Sequence, residues 1–174
     1  MSDTSAWFRP LRWREVPGGN TVLLLTADPD ERSALAKQLE SQGIGQLEAK
    51  LSLSPWFDGV EISGELRAVV TRLCGVSLEP YDEIVDEPFQ LRIVPSNSPH
   101  VPKPTHGEVE LDIDVDDPPD VAEADIVDLG SYLVEHLMLS LSPFPRKPDA
   151  VFEPPVSAGV ISPFAILARL KTDT

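Results

Sequence analysis

Apolar and polar residues alternate along much of the chain, the period of two that belongs to half-buried strands. Leu47, Ala49, Leu51 and Leu53 point one way while Glu48, Lys50 and Ser52 point the other. Over 60–74, Val60, Ile62, Leu66, Ala68, Val70 and Cys74 share a face against Glu61, Ser63, Glu65, Arg67 and Thr71, and only Arg72 breaks the inward set. After a turn at Glu79 and Pro80, Phe89, Leu91 and Ile93 resume the alternation, so the two segments read as a hairpin, with Pro88 predicting an edge or strand-start position. Val109, Leu111, Ile113 and Val115 alternate strictly with Glu108, Glu110, Asp112, Asp114 and Asp116, which gives a further strand one apolar face and a ladder of carboxylates on the other. The uninterrupted apolar run Thr21–Thr26 predicts an early strand buried on both faces, entered through Gly18, Gly19 and Asn20.

Two segments switch to the helical period. Asp28, Pro29 and Glu31 form an N-cap, a proline at the first helical position and a capping-box acid, so a surface helix is expected to run to about Gln42, striped by Leu35 and Leu39 and ended by Gly43. Asp128 caps a second helix in which Leu129, Leu133, Leu137 and Leu141 recur every four residues, with Val127 and Tyr132 available as a hydrophobic staple. Val134 and Met138 lie away from that row, so this helix must be buried on two sides or engage a partner. Residues 95–107 hold four prolines and no period, which marks a loop. Six prolines follow Ser142 up to Pro163, and 164–171 form a short possible helix.

These elements predict an α+β fold: a predominantly antiparallel sheet of five to seven strands, open or curled toward a barrel, with two main helices against it. The 174 residues suffice for one domain with a real core, expected over 1–148, followed by a proline-rich tail over 149–174 with its short terminal helix.

Charge narrows the function. Twenty-nine acidic against 14 basic residues give a formal charge of −15, a field that repels phosphate. Such a chain meets nucleic acid through a local basic patch or through a basic protein partner, and the second is the easier route. Cys74 is the single cysteine, no basic region followed by an apolar stretch marks a secretion signal, and no apolar run reaches the roughly 20 residues of a spanning helix. A soluble, cytoplasmic, monomeric protein without membrane contact is expected.

Few chemical sites emerge. Asp112, Asp114, Asp116, Asp120 and Glu123 fall at positions of a calcium-loop template, but Asp117 stands where the template needs glycine, and two prolines follow. Cys74 with His100, His106 and His136 lacks the paired short spacings of a zinc site, and Cys74 continues an inward strand face as a small buried hydrophobe. No metal and no cofactor is expected. Trp7, Phe8, Arg9, Arg12, Trp13 and Arg14 interleave aromatic and guanidinium groups as single-stranded RNA binders do; the simpler reading is a first strand whose aromatics enter the core and whose arginines balance the acidic face. No phosphate loop, nucleophile elbow or HExxH motif is present, so binding is expected rather than catalysis.

The stretch from Cys74 through Leu78, Glu79 and Pro80, the run Glu87-Pro-Phe-Gln-Leu-Arg92, the helix start Asp128-Leu129-Gly130 with Glu135, and Pro143-Phe-Pro-Arg-Lys-Pro148 resemble the YceD family of large ribosomal RNA subunit accumulation proteins in its alphaproteobacterial form. Phe8-Arg-Pro, Asp28-Pro-Asp-Glu-Arg32, Leu47-Glu-Ala and Pro163-Phe-Ala-Ile-Leu167 fall in the same order, so the resemblance spans nearly the whole chain. It implies a non-catalytic role in synthesis, processing or accumulation of large-subunit ribosomal RNA, in a family often encoded beside a large-subunit ribosomal protein. By position it marks Cys74, Leu78, Glu79 and Pro80, then Asp128, Leu129, Gly130 and Glu135, then Pro145, Arg146 and Lys147. Many relatives carry paired cysteines at the place of Cys74, where this chain has one.

Joined to the charge, the resemblance predicts a ribosomal protein or assembly factor as partner, with large-subunit RNA contacted indirectly. The contact surface would be Glu108, Glu110, Asp112, Asp114 and Asp116, aided by Asp128, Glu135, Arg146 and Lys147. The competing expectation is direct RNA contact through Arg9, Arg12, Arg14, Arg146 and Lys147. A metal-dependent enzyme is the third class, and it would need a bound metal or a pocket of perturbed titrating groups.

Overall fold

The computed structural model describes residues 6–16, 18–101 and 117–152. The carboxylate ladder Glu108, Glu110, Asp112, Asp114 and Asp116, with His106 and the expected terminal helix over 164–171, lies outside the described residues.

The alternation seen in the sequence becomes an antiparallel meander of three long strands, β3 (Gly43–Trp56), β4 (Gly59–Leu73) and β5 (Pro80–Pro95). β2 (Thr21–Thr26) pairs antiparallel with β3, and β6 (Asp120–Ala122) pairs parallel with Ile93–Pro95 of β5, giving the order β2-β3-β4-β5-β6. A separate two-stranded ribbon joins β1 (Pro10–Arg12) to β7 (Ile126–Asp128), and a single 3₁₀ turn, Trp13–Glu15, follows β1. The class is α+β, as expected. The sheet is open: β2 and β6 are its edges and do not meet, so the barrel alternative is corrected. Its inner face is closed by helices instead.

Helix α1 (Pro29–Gln38) has the capping box in full: Asp28 Oδ1 accepts from Asp30 and Glu31 N–H, and Glu31 Oε2 accepts from Asp28 N–H. It ends short of Gln42 because Glu40 takes a left-handed conformation and Gln42 N–H already donates to Thr71 O in the sheet. Helix α2 (Leu129–Ser140) is capped by Asp128 as predicted. One core joins Leu47, Leu51, Ile62, Leu66 and Phe89 of the sheet to Leu35 of α1 and Leu133 and Leu137 of α2, with Trp7 and Trp13 beside them.

β2 is not buried on both faces. Register with β3 places Val22 and Leu24 on the outer face, opposite Ser52 and Lys50, and both are about two-thirds exposed, at 66% and 68%. Pro88, expected at an edge or a strand start, sits within β5 opposite Glu65. Among the described residues β6 covers the outer side of β5 only at Ile93–Pro95, so no described strand takes a ladder bond from Pro88 there.

Candidate functional site

The N-terminal aromatic and basic segment is folded inward. Trp7 and Trp13 are buried, and Trp13 Nε1 donates to Ala124 O at 2.9 Å. Arg9 makes a two-pronged ion pair with Glu31, donates further to Thr26 O and Phe8 O, and stands 5.4 Å from the Trp7 ring. Arg14 reaches Asp125 at 2.7 Å while lying 4.8 Å from the Trp13 ring, and Arg12 pairs with Glu15 at 3.6 Å. Each of the three guanidinium groups proposed for RNA therefore already has a carboxylate.

Asp128 ties the N-terminal segment to the first turn of α2. Its Oδ1 accepts from Gly130 N–H and from Arg9 N–H, and its Oδ2 from the Ser131 hydroxyl. Leu129 and Gly130 are buried behind it, Gly130 so tightly that an added Cβ would meet Trp7 O at 1.6 Å. Glu135 is exposed farther along α2.

Cys74 organises the turn between β4 and β5. Its sulfur, fully buried, accepts from the N–H groups of Val76 and Ser77 at 3.4 Å each, while its backbone bonds Leu78 and Glu79. Hydrogen bonding by the Ser77 side chain and backbone pulls the thiol below its ordinary value, to about 6, against the opposing effect of burial. Leu78 is held in the left-handed region at φ 57 and is 75% exposed. Pro80 opens β5.

The segment after α2 straps across this turn. Gly75 N–H donates to Pro145 O, Lys147 pairs with Glu79 at 2.8 Å, and Arg146 donates to Ala150 O. The Lys147 ammonium, hydrogen-bonded to the Glu79 carboxylate, lowers the pKa of that acid and is itself raised by it. Arg72, the residue that broke the inward pattern, explains itself here. It donates to Glu83 Oε2 and to Ser142 O, and Glu83 Oε1 accepts from Ser142 N–H. The sheet thus ends in a polar clamp that fixes the strap, with Tyr81 donating to Glu83 and its phenol raised first by burial and then by the Glu83 charge. The irregularity at Arg72 was the available signal; its partners Glu83 and Ser142 carried none.

The structure thus brings together the family-marked residues of the turn and strap, Cys74, Leu78, Glu79, Pro80, Pro145, Arg146 and Lys147. Asp128, Leu129 and Gly130 form a second group with Arg9 and Trp7. Among the described residues no group of three or more His, Cys, Asp or Glu is placed to hold a metal. No described helix is long and apolar enough to cross a membrane.

Fold and site together define an acidic α+β protein with an open sheet, whose marked residues build a strapped turn. Residues 62–171 match the family model described as Large ribosomal RNA subunit accumulation protein YceD, and the chain belongs to that family. The description ties it to accumulation of the large ribosomal RNA subunit. No curated protein and no solved structure matches it significantly.

Proposed function

We propose that this protein supports large-subunit ribosomal RNA synthesis, processing or accumulation in the cytoplasm without catalysis, by binding a basic ribosomal protein or assembly factor. The carboxylates of Glu108, Glu110, Asp112, Asp114 and Asp116 are the primary contact, and RNA is reached indirectly.

One observation supports a protein partner over direct RNA contact. All five cations that could form an RNA patch are committed: Arg9, Arg12, Arg14 and Lys147 to carboxylates and Arg146 to a carbonyl. Phosphate would compete with carboxylates at four of these five cations, inside a molecule of charge −15. A basic protein gains from the same field by electrostatic steering.

The test is a pair of titrations, one with the basic proteins stripped from purified large ribosomal subunits and one with deproteinised large-subunit RNA. Salt-sensitive binding of a protein, weakened by the joint replacement Asp112→Lys, Asp114→Lys and Asp116→Lys, is the expected result. Salt-dependent RNA binding lost on Arg9→Ala, Arg12→Ala and Arg14→Ala would instead establish direct RNA contact.

A further inference from the structure

The hairpin between β3 and β4 turns on an aromatic residue. Trp56 pairs with Gly59, so Phe57 and Asp58 alone form the loop, and Phe57 takes φ 50. Two-residue hairpin loops favour glycine, asparagine or aspartate at positive φ, and a bulky ring is disfavoured there. Phe57 is nonetheless 71% exposed, so burial in the core does not compensate for the conformation. Strain of this kind held at an exposed position accompanies binding sites.

The neighbouring groups are arranged around the ring. His100 stacks on Phe57 with centroids 4.0 Å apart and planes inclined by 18°. Ser98, the only buried polar or charged residue among those described, fixes that arrangement: its hydroxyl donates to Asp58 Oδ1 at 2.9 Å and accepts from His100 N–H at 3.1 Å. Trp56 meets Phe57 edge-on at 4.7 Å and lies 5.8 Å from His100. With these three distances Trp56 and His100 stand nearly at right angles about Phe57. Trp56 therefore lies beside the Phe57 ring, and the face opposite His100 is left open.

The charge at this tip selects the occupant. Over 54–61 and 90–100 the single lysine or arginine is Arg92, and the acids are Asp58 and Glu61. Arg92, 5.3 Å from the Trp56 ring, is bonded to Glu61 at 2.9 Å. Asp58, exposed and next to Phe57, makes no ion pair among the described residues and is the uncompensated charge of these two segments. A nucleobase on the ring would bring its phosphate toward that carboxylate with no unpaired cation in either segment to receive it. A guanidinium suits both groups, because it stacks flat on an aromatic face and is drawn by the adjacent negative charge.

We infer that the open face of Phe57, flanked by Asp58, is a seat for an arginine side chain of a basic polypeptide. This deepens the proposed binding of a basic ribosomal protein, on which it rests. To the carboxylates of 108–116, which attract any cation, it adds a contact that distinguishes arginine from lysine.

The test uses the full chain with isotope-labelled phenylalanine rings, the Phe57 resonance being assigned by its loss in Phe57→Gly. The chain is titrated with an alternating arginine-glycine peptide, with its lysine-glycine counterpart and with oligouridine. The Phe57 resonance should shift with the arginine peptide, respond to the lysine peptide with about fivefold weaker affinity and ignore oligouridine. An equal response to both peptides, a shift with oligouridine, or no shift at all would each overturn the assignment. In parallel, the unaltered chain, Phe57→Gly and Phe57→Asn are titrated with the basic proteins stripped from large ribosomal subunits. Both replacements suit φ 50, so their urea midpoints should equal or exceed that of the unaltered chain while affinity for the bound protein falls about fivefold. Lower midpoints in both would show that the ring serves the fold, and this inference would fall. If a subunit protein binds all three chains equally, only this inference fails. If no subunit protein binds at all, the proposed function fails with it.

Discussion

Arg9 and Glu31 meet as two parallel hydrogen bonds, Nη1 to Oε1 at 2.7 Å and Nη2 to Oε2 at 2.8 Å, across the join between the N-terminal segment and the first turn of α1. Glu31 also closes the capping box through Asp28 N–H, so one carboxylate serves both the helix start and the docking of the chain's beginning. Hydrogen bonding and charge from Arg9 hold its pKa below the ordinary carboxylate value of 4.5. A depressed carboxylate contributes stability above its unfolded pKa and loses it as pH falls through the lowered folded value. Glu31→Gln should therefore cost about 1 kcal/mol near neutrality. The difference in urea midpoint from the unaltered chain should shrink below pH 4.5.

Gly130 leaves no room for a methyl group, because the Trp7 carbonyl occupies its Cβ position. Gly130→Ala must push the N-terminal segment off α2 and should cost about 3 kcal/mol or more in urea unfolding. Gly19→Ala, with open space around the glycine, is the matched control and should change little.

Cys74 should make stability rise with pH. Its thiol is held at about 6 when folded, by Ser77 hydrogen bonds, against an ordinary value of 9.0. The folded state thus favours thiolate, and this contribution is complete above about pH 9 and is lost as pH falls through about 6. Cys74→Ala should lower the urea midpoint most at the alkaline end of that window. A flat difference between pH 6 and 9 would mean that burial outweighs the hydrogen bonds and keeps the thiol protonated.

Leu24→Lys should improve solubility at little cost. Leu24 lies on the exposed face of an edge strand, Thr21–Thr26, that carries neither charge nor proline. Such edges recruit other strands, and lysine is a common guard against it. The unfolding free energy should change by no more than about 0.5 kcal/mol while concentration-dependent light scattering falls.

The alternation in β3 and β4 was legible because one face of the meander is buried and the other solvated, so each side chain reports its side. β2 misled because its length of apolar residues is identical whether the strand is central or at an edge; only the register that sets Val22 opposite Ser52 distinguishes the two. The end of α1 was placed late because nothing local announces that Gln42 will bond Thr71. The β1–β7 ribbon was invisible for the same reason: pairing of Leu11 with Val127 leaves no periodic trace in three-residue strands. At the candidate site, the sequence pointed to Cys74, Leu78 and Lys147 but not to the Arg72, Glu83 and Ser142 clamp that positions them. The aromatics of the first segment were expected in the core with the arginines set against acidic groups, and an RNA patch stayed open as the alternative because the carboxylate partners, Glu31 and Asp125, lie far along the chain.

The bond from Arg9 N–H to Asp128 spans 119 positions of sequence and is part of the packing that buries Trp7 under α2. During synthesis the first aromatic residue must therefore wait for almost the whole domain to emerge, on the order of ten seconds at bacterial elongation rates. Until then its surface is available to chaperones, and a ribosome that stalls before Gly130 leaves the nascent chain without its closing seam. Folding of this protein is thereby timed by the ribosome that makes it.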